Sequence, residues 1–277
     1  MKLQLTLTVN EAKRIIAKGI AGLPEVSAAL DTGKILLKGG TTVELVGVPL
    51  GICGRITQKG TNSALSEEPK HDLDAPHCIL IDKGEIVDVD DAESFEKAAL
   101  SLRKHDILAT GANAVDVNGN AAMMAGSPLG NFPGMIIPAL AAEGVRIIIA
   151  AGLEKLIPGN INDAIRAAGR KSIDTAFGMA VGLIPLQGEV FDERRALEVL
   201  ARVKATVIGM GGVQGAEGAT TAVVEGAPEE VRKLLAIVKS VKGAGISGSP
   251  QTLSECERGS PGCREHLACL YRRGLDS

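Results

Sequence analysis

The sequence predicts an α/β protein: a parallel sheet with helices on both faces, followed by a smaller α+β domain. Short apolar segments, among them 34–38, 106–110 and 145–151, alternate with amphipathic segments of helical period. These apolar segments lack alternating polar positions, which is typical of strands buried on both faces of a Rossmann-like sheet. After about residue 170 the order of predicted elements becomes βαββαβ, the split form of the ferredoxin-like sandwich.

The first half of the chain supplies the elements of the larger domain. Asn10 is expected to cap the first helix, and Lys83-Gly84 is expected to form the tight turn of a hairpin. In order, we predict a strand at 3–9, a helix from 10, a second helix at 24–30, strands at 34–38 and 52–58 flanking a helical turn at 43–50, the hairpin at 78–91 and a helix at 93–103.

In the second half of the chain, strands and helices continue to alternate until about residue 170, after which the order of predicted elements changes. Asn160 is expected to cap one helix, and Pro228 lies near the start of another. We predict strands at 106–110, 145–151, 180–187, 204–212 and 219–226, helices at 134–143, 160–169, 191–203 and 228–242, and a last short strand within 243–248.

These elements predict two domains and a tail. Residues 1–172 form the Rossmann-like ligand-binding domain, and residues 173–247 form the ferredoxin-like βαββαβ domain. From 248 to 277 the chain is rich in Ser, Gly and Pro and carries three cysteines, so we interpret it as a tail or a small appended module.

Composition excludes several classes of partner. Apolar residues make up 45% of the 277 residues and charged residues 23%, as in ordinary globular proteins. Aromatic residues are only 2%, so the stacking platforms of single-strand nucleic-acid binders are nearly absent. The net charge of −3 provides no basic field for nucleic acid or an anionic membrane. We therefore expect no nucleic-acid or membrane partner.

The location and assembly of the chain are expectations of the same kind. The first 14 residues lack the apolar core of a signal peptide, and the apolar stretch 135–152 is interrupted by Pro138, Glu143 and Arg146. Five cysteines fit a reducing compartment. We expect a cytoplasmic protein that acts as a homo-oligomer.

The first glycine loop, Gly39-Gly40-Thr41-Thr42, directly follows a predicted strand. Its amides and hydroxyl groups could donate hydrogen bonds to an anion, because glycine lets the backbone approach a ligand. A structural Gly-Gly turn with buried threonines explains the same residues. Both interpretations remain open.

The second glycine loop begins where the strand "DILAT" ends. Gly111, Asn113, Asp116 and Asn118 follow, and then the segment "NAAMMAGSPLG" with Gly126 and Ser127. Amide side chains donate and accept, so they suit hydroxyl groups or phosphate oxygens. Asn118-Gly119 also suits a simple turn, and Asp116 could orient a ligand hydroxyl or cap the turn.

The order "KGGTT", "GANAVD", "NAAMMAGSPLG", "VRIIIAAGLEKLIP" resembles ribose-5-phosphate isomerase type A. It is also similar to the sugar-phosphate isomerases related to initiation factor 2B subunits, to lactate-utilisation proteins, to glucosamine-6-phosphate deaminase and to CoA transferases. The resemblance covers about residues 30–245. It implies a phosphate-binding first loop, a ligand-binding second loop and a ferredoxin-like small domain.

The chain departs from this pattern where the family carries its chemistry. Asn113 stands where the family has a carboxylate, and no Lys, Arg, His, Asp or Glu occurs between Val117 and Ala142. Proton transfer between sugar carbons needs a positioned base, which an amide cannot be. The isomerase activity is therefore not carried over to this chain.

The polar segment 58–76 is long for a compact domain, so it is expected to be a lid or a mobile loop. His71 and His77 lie at its end, and with Asp116 they are the candidate catalytic groups if this loop closes over the pocket. A divalent-metal role for the segment is the alternative. Cys53 is expected in the core and His105 on the surface.

The tail offers four metal-ligating side chains, Cys256, Cys263, His266 and Cys269. If 262–271 is helical, the last three share one face. Such a set suits tetrahedral zinc or an iron–sulfur cluster. Free or redox-active thiols and a disulfide are the alternatives.

These observations predict a protein that binds a small anionic metabolite, such as a sugar phosphate, a nucleotide or a CoA-like molecule. The pocket is expected at the carboxyl ends of the strands that end near Lys38 and Thr110. The alternative is an isomerase or transferase of the same superfold that uses other groups, from the 58–78 segment. For the glycine-rich stretch 209–219, a flexible hairpin or an effector-binding loop are both open.

Overall fold

The computed structural model of the protein describes residues 1–52, 76–247 and 266–270, together with the backbone of 67–69 and 253–255. Most of the predicted strand 52–58 and of the polar segment 58–76 lies outside these residues, as do Cys53, His71, Cys256 and Cys263. Among the described residues, no helix combines the length and the apolar character that a membrane crossing needs.

The strands of the described chain are β1 (Lys2–Leu7), β2 (Lys34–Lys38), β3 (Glu67–Pro69), β4 (Cys78–Asp82), β5 (Glu85–Asp88), β6 (Ile107–Thr110), β7 (Ala114–Val115), β8 (Ala121–Ala125), β9 (Arg146–Ala150), β10 (Gly182–Leu186), β11 (Glu189–Phe191), β12 (Val203–Met210), β13 (Thr220–Gly226) and β14 (Leu253–Glu255).

The helices are α1 (Val9–Ala21), α2 (Pro24–Thr32), α3 (Val43–Gly47), α4 (Ala92–Ser101), α5 (Asn131–Ala139), α6 (Ile161–Ala167), α7 (Glu193–Leu200) and α8 (Pro228–Lys239). Single 3₁₀ turns occupy Val48–Leu50, Pro128–Gly130 and Leu153–Lys155.

A six-stranded mixed sheet with the order β11-β9-β6-β2-β4-β5 is the centre of the molecule. Its first four strands are parallel, and β4 and β5 add an antiparallel hairpin at one edge. The α/β class predicted from the sequence is confirmed at this level. Because β2, β6, β9 and β11 run in one direction, their carboxyl ends meet at the same edge, where open α/β sheets bind ligands.

Both faces of the central sheet are buried. Ile35, Ile107 and Ile148 join a cluster that includes α1, whereas Leu36 and Leu108 join a second cluster that includes α4 and α5. All four residues of β6 are buried. Burying one such aliphatic side chain contributes about 1.5–3 kcal/mol, which explains why these strands are apolar throughout.

A three-stranded antiparallel sheet, β1-β13-β12, packs against the same core. The first strand of the chain pairs with a strand near its end, with Lys2 opposite Glu225. The buried positions of β13 alternate with less buried ones, and Ala222 and Val224 face the core together with Leu234 of α8.

The third sheet, β10-β8-β7, is antiparallel. Its strand β8 occupies "AAMMA", a segment that the sequence pattern places in a glycine-rich loop. The sequence prediction for β8 was wrong because its small residues carry no β-branched or aromatic signal.

A ferredoxin-like unit confined to 173–247 is not confirmed. The predicted strand 180–187 is found as β10, but it pairs with β8, and the strand β11 pairs with β9. Strand pairs between the two predicted domains thus occur at β1–β13, β8–β10 and β9–β11. Residues 243–247 form no strand, in contrast to the prediction for that stretch.

Local signals fixed most element ends. Asn160 caps α6 through its side-chain oxygen, which accepts from the amide of Asn162 at 2.7 Å. Lys83 and Gly84 have φ of 51° and 83°, as a two-residue hairpin turn requires. The cap of α1 was predicted two residues too late: Thr8, not Asn10, is the N-cap, in a reciprocal capping box with Glu11.

Candidate functional site

The two predicted ligand loops lie at one edge of the central sheet. In the β2–β6 pair, Leu37 is opposite Ala109, so the loops that begin at Gly39 and Gly111 leave neighbouring strands in the same direction. The structure therefore brings the two glycine loops together, as the sequence predicted from strand ends alone.

The loop after β2 is fixed by its backbone. The amide of Gly39 donates to the carbonyl oxygen of His77 at 2.7 Å, and the amide of Glu44 donates to Gly40 at 2.9 Å. A β-carbon added to Gly40 would meet no heavy atom of the described residues within 4 Å. Thr42 is buried and Thr41 half-buried. His77 is buried as well, and its backbone holds this loop.

Asp116 organises the turn after β6. One of its oxygens, Oδ1, accepts from the amides of Asn118 at 2.9 Å and Asn120 at 3.0 Å. The Asn120 side-chain amide donates to both oxygens, and Oδ2 also accepts from the amide of Ile161, the first residue of α6. The Asn120 side chain and these amides hold the pKa of Asp116 below its usual value. The capping interpretation of Asp116 is confirmed.

Asn113 also uses its side chain within the fold. Its Oδ1 accepts from the amide of Met124 at 2.9 Å, which ties the loop to β8. Asn118 is exposed, and Gly119 has a φ of 80°. This left-handed conformation favours the turn interpretation of Asn118-Gly119.

Gly126 is in close contact with the side chain of Met179, which would have to move to admit a β-carbon. A β-carbon there would lie 2.1 Å from the sulfur of Met179, and the carbonyl oxygen of Gly126 accepts from Nε of Arg170 at 2.9 Å. Ser127 follows, half-buried, before a 3₁₀ turn. The glycine at this position is therefore explained by the close approach of the segment that carries Arg170 and Met179.

Sequence reasoning missed a cluster of charged side chains at the same edge: Lys13, Glu154, Lys155 and Glu193, hereafter the lysine–glutamate cluster. Glu154 and Lys155 follow β9, and Glu193 follows the adjacent parallel strand β11. Lys13 lies on α1, which packs against α7, the helix that Glu193 begins.

Glu193 is fixed and almost fully buried, at 1% exposure. Its Oε1 accepts from the hydroxyl group of Thr220 at 2.6 Å, and its Oε2 accepts from the amide of Leu153 at 3.0 Å. Burial raises the pKa of Glu193 in spite of these hydrogen bonds, and the charge of Glu154 adds to the increase.

The two carboxyl groups converge above Gly152. The position of a β-carbon on Gly152 lies 2.1 Å from Glu154 Oε2 and 3.3 Å from Glu193 Oε2. Carboxyl groups this close cannot both ionise without mutual repulsion. Glycine at this position is what leaves room for the pair.

Lys13 is buried to 9% exposure, and within the described part of the chain it has no hydrogen bond or ion pair. Burial lowers the pKa of its amine; the carboxylate of Glu154 opposes this effect and the ammonium of Lys155 adds to it. Glu154 Oε1 is buried without a hydrogen-bond partner among the described residues and lies 3.9 Å from Lys155 Nζ.

One sequence signal could have found part of this cluster. Glu154 and Lys155 follow the end of a buried apolar strand, the same pattern that singled out the loop after β6. Lys13 gave no signal, because a lysine within an amphipathic helix is ordinarily a solvated residue.

The tail ligands are only partly described. His266 is half-buried. Cys269 has a buried free thiol, and its backbone forms an isolated parallel β-bridge with Ala176. Ala268 has a φ of 60°, so 266–269 is not helical and the helical-face argument for His266 and Cys269 is wrong. In the described part of the chain, no group of three or more His, Cys, Asp or Glu side chains is arranged to hold a metal ion. Since Cys256 and Cys263 lie outside that part, the zinc or iron–sulfur hypothesis stays a prediction.

Comparison of the chain with protein-family models, with characterised proteins and with solved structures finds no match.

Proposed function

We propose that the chain binds a small anionic metabolite, such as a sugar phosphate, a nucleotide or a CoA-like molecule, at the carboxyl edge of β2, β6 and β9. The observation that carries this proposal is the open space beside a glycine in each of two adjacent loops. An added β-carbon on Gly40 would meet no described heavy atom within 4 Å, and among the same residues one on Gly111 would meet only the carbonyl oxygen of Ala150, at 3.9 Å. Neither glycine is required by packing, which supports close approach of a ligand.

The chemistry of this edge favours an anion. Backbone amides and the hydroxyl groups of Thr41 and Thr42 are donors, and the ammonium of Lys155 lies at the same edge after β9. Gly111, Asn113 and Ser127 would contribute further backbone and side-chain contacts. Asn118 would contact the ligand only from the rim, since its side chain is exposed.

The test is a thermal-shift titration of the full chain with ribose 5-phosphate, AMP, CoA and inorganic phosphate. A ligand at 100 times its dissociation constant adds about 2.7 kcal/mol to the free energy of unfolding. The variant Gly40→Val should fold normally and lose about tenfold or more in affinity, because its side chain fills the approach. Gly159→Val is the matched control, since an added β-carbon there also meets no described atom within 4 Å. No stabilisation by any of the four probes at millimolar concentration would contradict the proposal.

A second candidate function is an isomerase or transferase acting on the same class of ligand. The lysine–glutamate cluster favours this function, because it supplies ionisable groups at the ligand edge that the glycine loops lack. His71 lies outside the described residues, and the carbonyl oxygen of His77 holds the loop after β2.

We also infer that the sheet β1-β13-β12 with α1 and α8 is an incomplete ferredoxin-like unit. Its chain order is β-α-β-β-α, and β13 lies between β1 and β12, with which it is antiparallel. The large domain would then be inserted between α1 and β12. In this arrangement α1 carries Lys13 to the ligand edge.

We further propose a cytoplasmic homo-oligomer. Among the described strands, β12 pairs only with β13, and near its other edge Ile208 is 55% exposed and Val213 is 78% exposed. An unpaired strand edge with apolar side chains favours pairing with a second copy. Ile208→Lys should then reduce the mass of the particle measured by light scattering, whereas an unchanged mass would contradict pairing through this edge.

A further inference from the structure

We propose that Lys13 forms an imine with the aldehyde or ketone group of a small anionic metabolite, and that Glu154 and Glu193 exchange the protons that this reaction needs. This inference rests on the proposed function, since the anionic part of the substrate would be held by Lys155 and the glycine loops.

Two polar groups of the cluster have no hydrogen-bond partner among the described residues, and they point to a missing ligand group. Buried polar groups in native proteins are almost always hydrogen-bonded, so each exception asks for an explanation. In the described residues, Lys13 as a whole is 9% exposed and has no hydrogen bond or ion pair, and Glu154 Oε1 is buried without a hydrogen bond. Both belong to one cluster: a β-carbon on Gly218 would lie 3.1 Å from Val9 Cγ2 of α1, one helical turn before Lys13, and 3.6 Å from Cβ of Glu154. The charge of Glu154 also acts on Lys13.

The environment of Lys13 is that of a lysine nucleophile. A lysine becomes nucleophilic when it is desolvated or lies beside another cation, because both effects favour the neutral amine. Both apply here: burial lowers the pKa of Lys13, and the nearby Lys155 ammonium lowers it further. The groups that act on its charge come from the segment after β9, whose Glu154 opposes the decrease.

The carboxyl pair supplies the proton transfers. Glu193 has its pKa raised by burial, and its oxygens are oriented by Thr220 and by the amide of Leu153. Glu154 Oε2 lies on the same side of Gly152 as Glu193 Oε2. One protonated and one ionised carboxyl group provide an acid and a base together.

The reaction balances without a further reactant. The neutral amine of Lys13 bonds to the carbonyl carbon, and the carbonyl oxygen takes the proton of Glu193, while the nitrogen gives a proton to the Glu154 carboxylate. The resulting carbinolamine then loses its hydroxyl group as water, taking the proton back from Glu154. The product is a protonated imine beside two carboxylates; no group is oxidised or reduced.

The position of the cluster allows a substrate to reach it. Its residues follow the carboxyl ends of β9 and β11, and the Lys155 side chain is 31% exposed, so the cluster opens to solvent on that side. The hairpin between β12 and β13 borders it, because a β-carbon on Gly218 would lie 3.6 Å from Cβ of Glu154.

The experiment is reductive trapping on the full chain. The protein is incubated with pyruvate, glyceraldehyde 3-phosphate or formaldehyde, reduced with sodium borohydride and mapped by peptide mass spectrometry. We expect one adduct per chain, on Lys13, with at least about tenfold selectivity over Lys18, an exposed lysine of the same helix. Lys13→Arg should lose the adduct and Lys18→Arg should keep it. Glu193→Gln should slow its formation about tenfold or more, since general acid catalysis is removed.

The outcomes separate this inference from the proposed function. If no probe labels Lys13 above Lys18 in the wild-type chain, the inference is overturned, whether or not the variants fold. Thermal stabilisation by phosphate compounds together with an unlabelled Lys13 would overturn the inference and leave the proposed function standing. Selective labelling by formaldehyde alone would support the nucleophilic lysine and contradict the anionic substrate.

Discussion

Two regions at the ligand edge of the central sheet use their polar groups in opposite ways. In the turn after β6, Asp116 accepts hydrogen bonds from three backbone amides and from the side chain of Asn120. In the lysine–glutamate cluster, Lys13 is 9% exposed and makes no hydrogen bond within the described residues, and Glu154 Oε1 is buried without one. The polar groups of the turn are hydrogen-bonded within the chain, whereas Lys13 and Glu154 Oε1 of the cluster have no hydrogen bond among the described residues.

This difference helps to decide whether a polar residue after a strand has a structural role or a binding role. Short side chains in a turn are available to their own backbone, so Asn and Asp next to glycine often serve geometry. Charges brought together from distant elements have no such local partner. Where proteins keep unsatisfied groups, they tend to be functional.

The largest expected effect is on stability at the turn. Asp116→Ala should lower the melting temperature by several degrees, because it leaves the amides of Asn118, Asn120 and Ile161 without their acceptor. Differential scanning calorimetry measures the change. Asp163→Ala, which removes an exposed carboxylate from α6, is the control and should change little. Equal changes for both variants would show that the turn does not depend on Asp116.

The second effect has the opposite sign. Lys13→Met should raise the free energy of unfolding by about 1 kcal/mol in a urea titration, because a largely buried amine without a hydrogen bond is replaced by an apolar side chain of similar length. Lys18→Met is the control on the exposed face of the same helix. If Lys13→Met is destabilising instead, Lys13 is a structural residue and the contrast between the two regions fails.

The third effect is a pair of opposite pH slopes. The pKa of Asp116 is lowered by folding, so its contribution is present above the unfolded-state value of about 3.9 and is lost as the pH falls towards the folded-state value. Burial raises the pKa of Glu193, so ionising it destabilises the fold as the pH rises above about 4.3.

Urea titrations of Asp116→Asn and Glu193→Gln between about pH 3 and pH 7 measure both slopes. The deficit of Asp116→Asn relative to wild type should shrink with acid. The stability of Glu193→Gln relative to wild type should improve as the pH rises. Slopes of the same sign would contradict the assignment of the two carboxyl groups.

The smallest effect is expected at Asn118. Its side chain is exposed and only its backbone amide bonds to Asp116, so Asn118→Ala should change the free energy of unfolding by less than about 0.5 kcal/mol. Asn120→Ala is the variant for comparison. It should be destabilising, because it removes a side chain that donates hydrogen bonds to Asp116. A loss in Asn118→Ala as large as in Asn120→Ala would show that the exposed side chain has a structural role.

Much of the fold was predictable from short segments. The strand predicted at 34–38 and the cap at Asn160 agree with the structure, because burial and capping are properties of a few neighbouring residues. The strand β8 was missed because its small residues pack by virtue of their partners, Ala114 opposite Ala122 and Leu183 opposite Met124. The two glycine loops of the candidate site could be predicted from the positions where strands end. The lysine–glutamate cluster could not be predicted in this way.

The sequence by itself determined the α/β class, the direction of the parallel strands and the loops at their carboxyl ends, because apolar runs and turn residues act over a few positions. Only the tertiary structure decided that β1 pairs with β13, with Lys2 opposite Glu225, and that the carboxyl groups of Glu154 and Glu193 converge beside Gly152. A local pattern tells which face of an element is buried but not what lies against it. For a charged residue, that neighbour decides whether it is a cap, a solvated side chain or a reactive group.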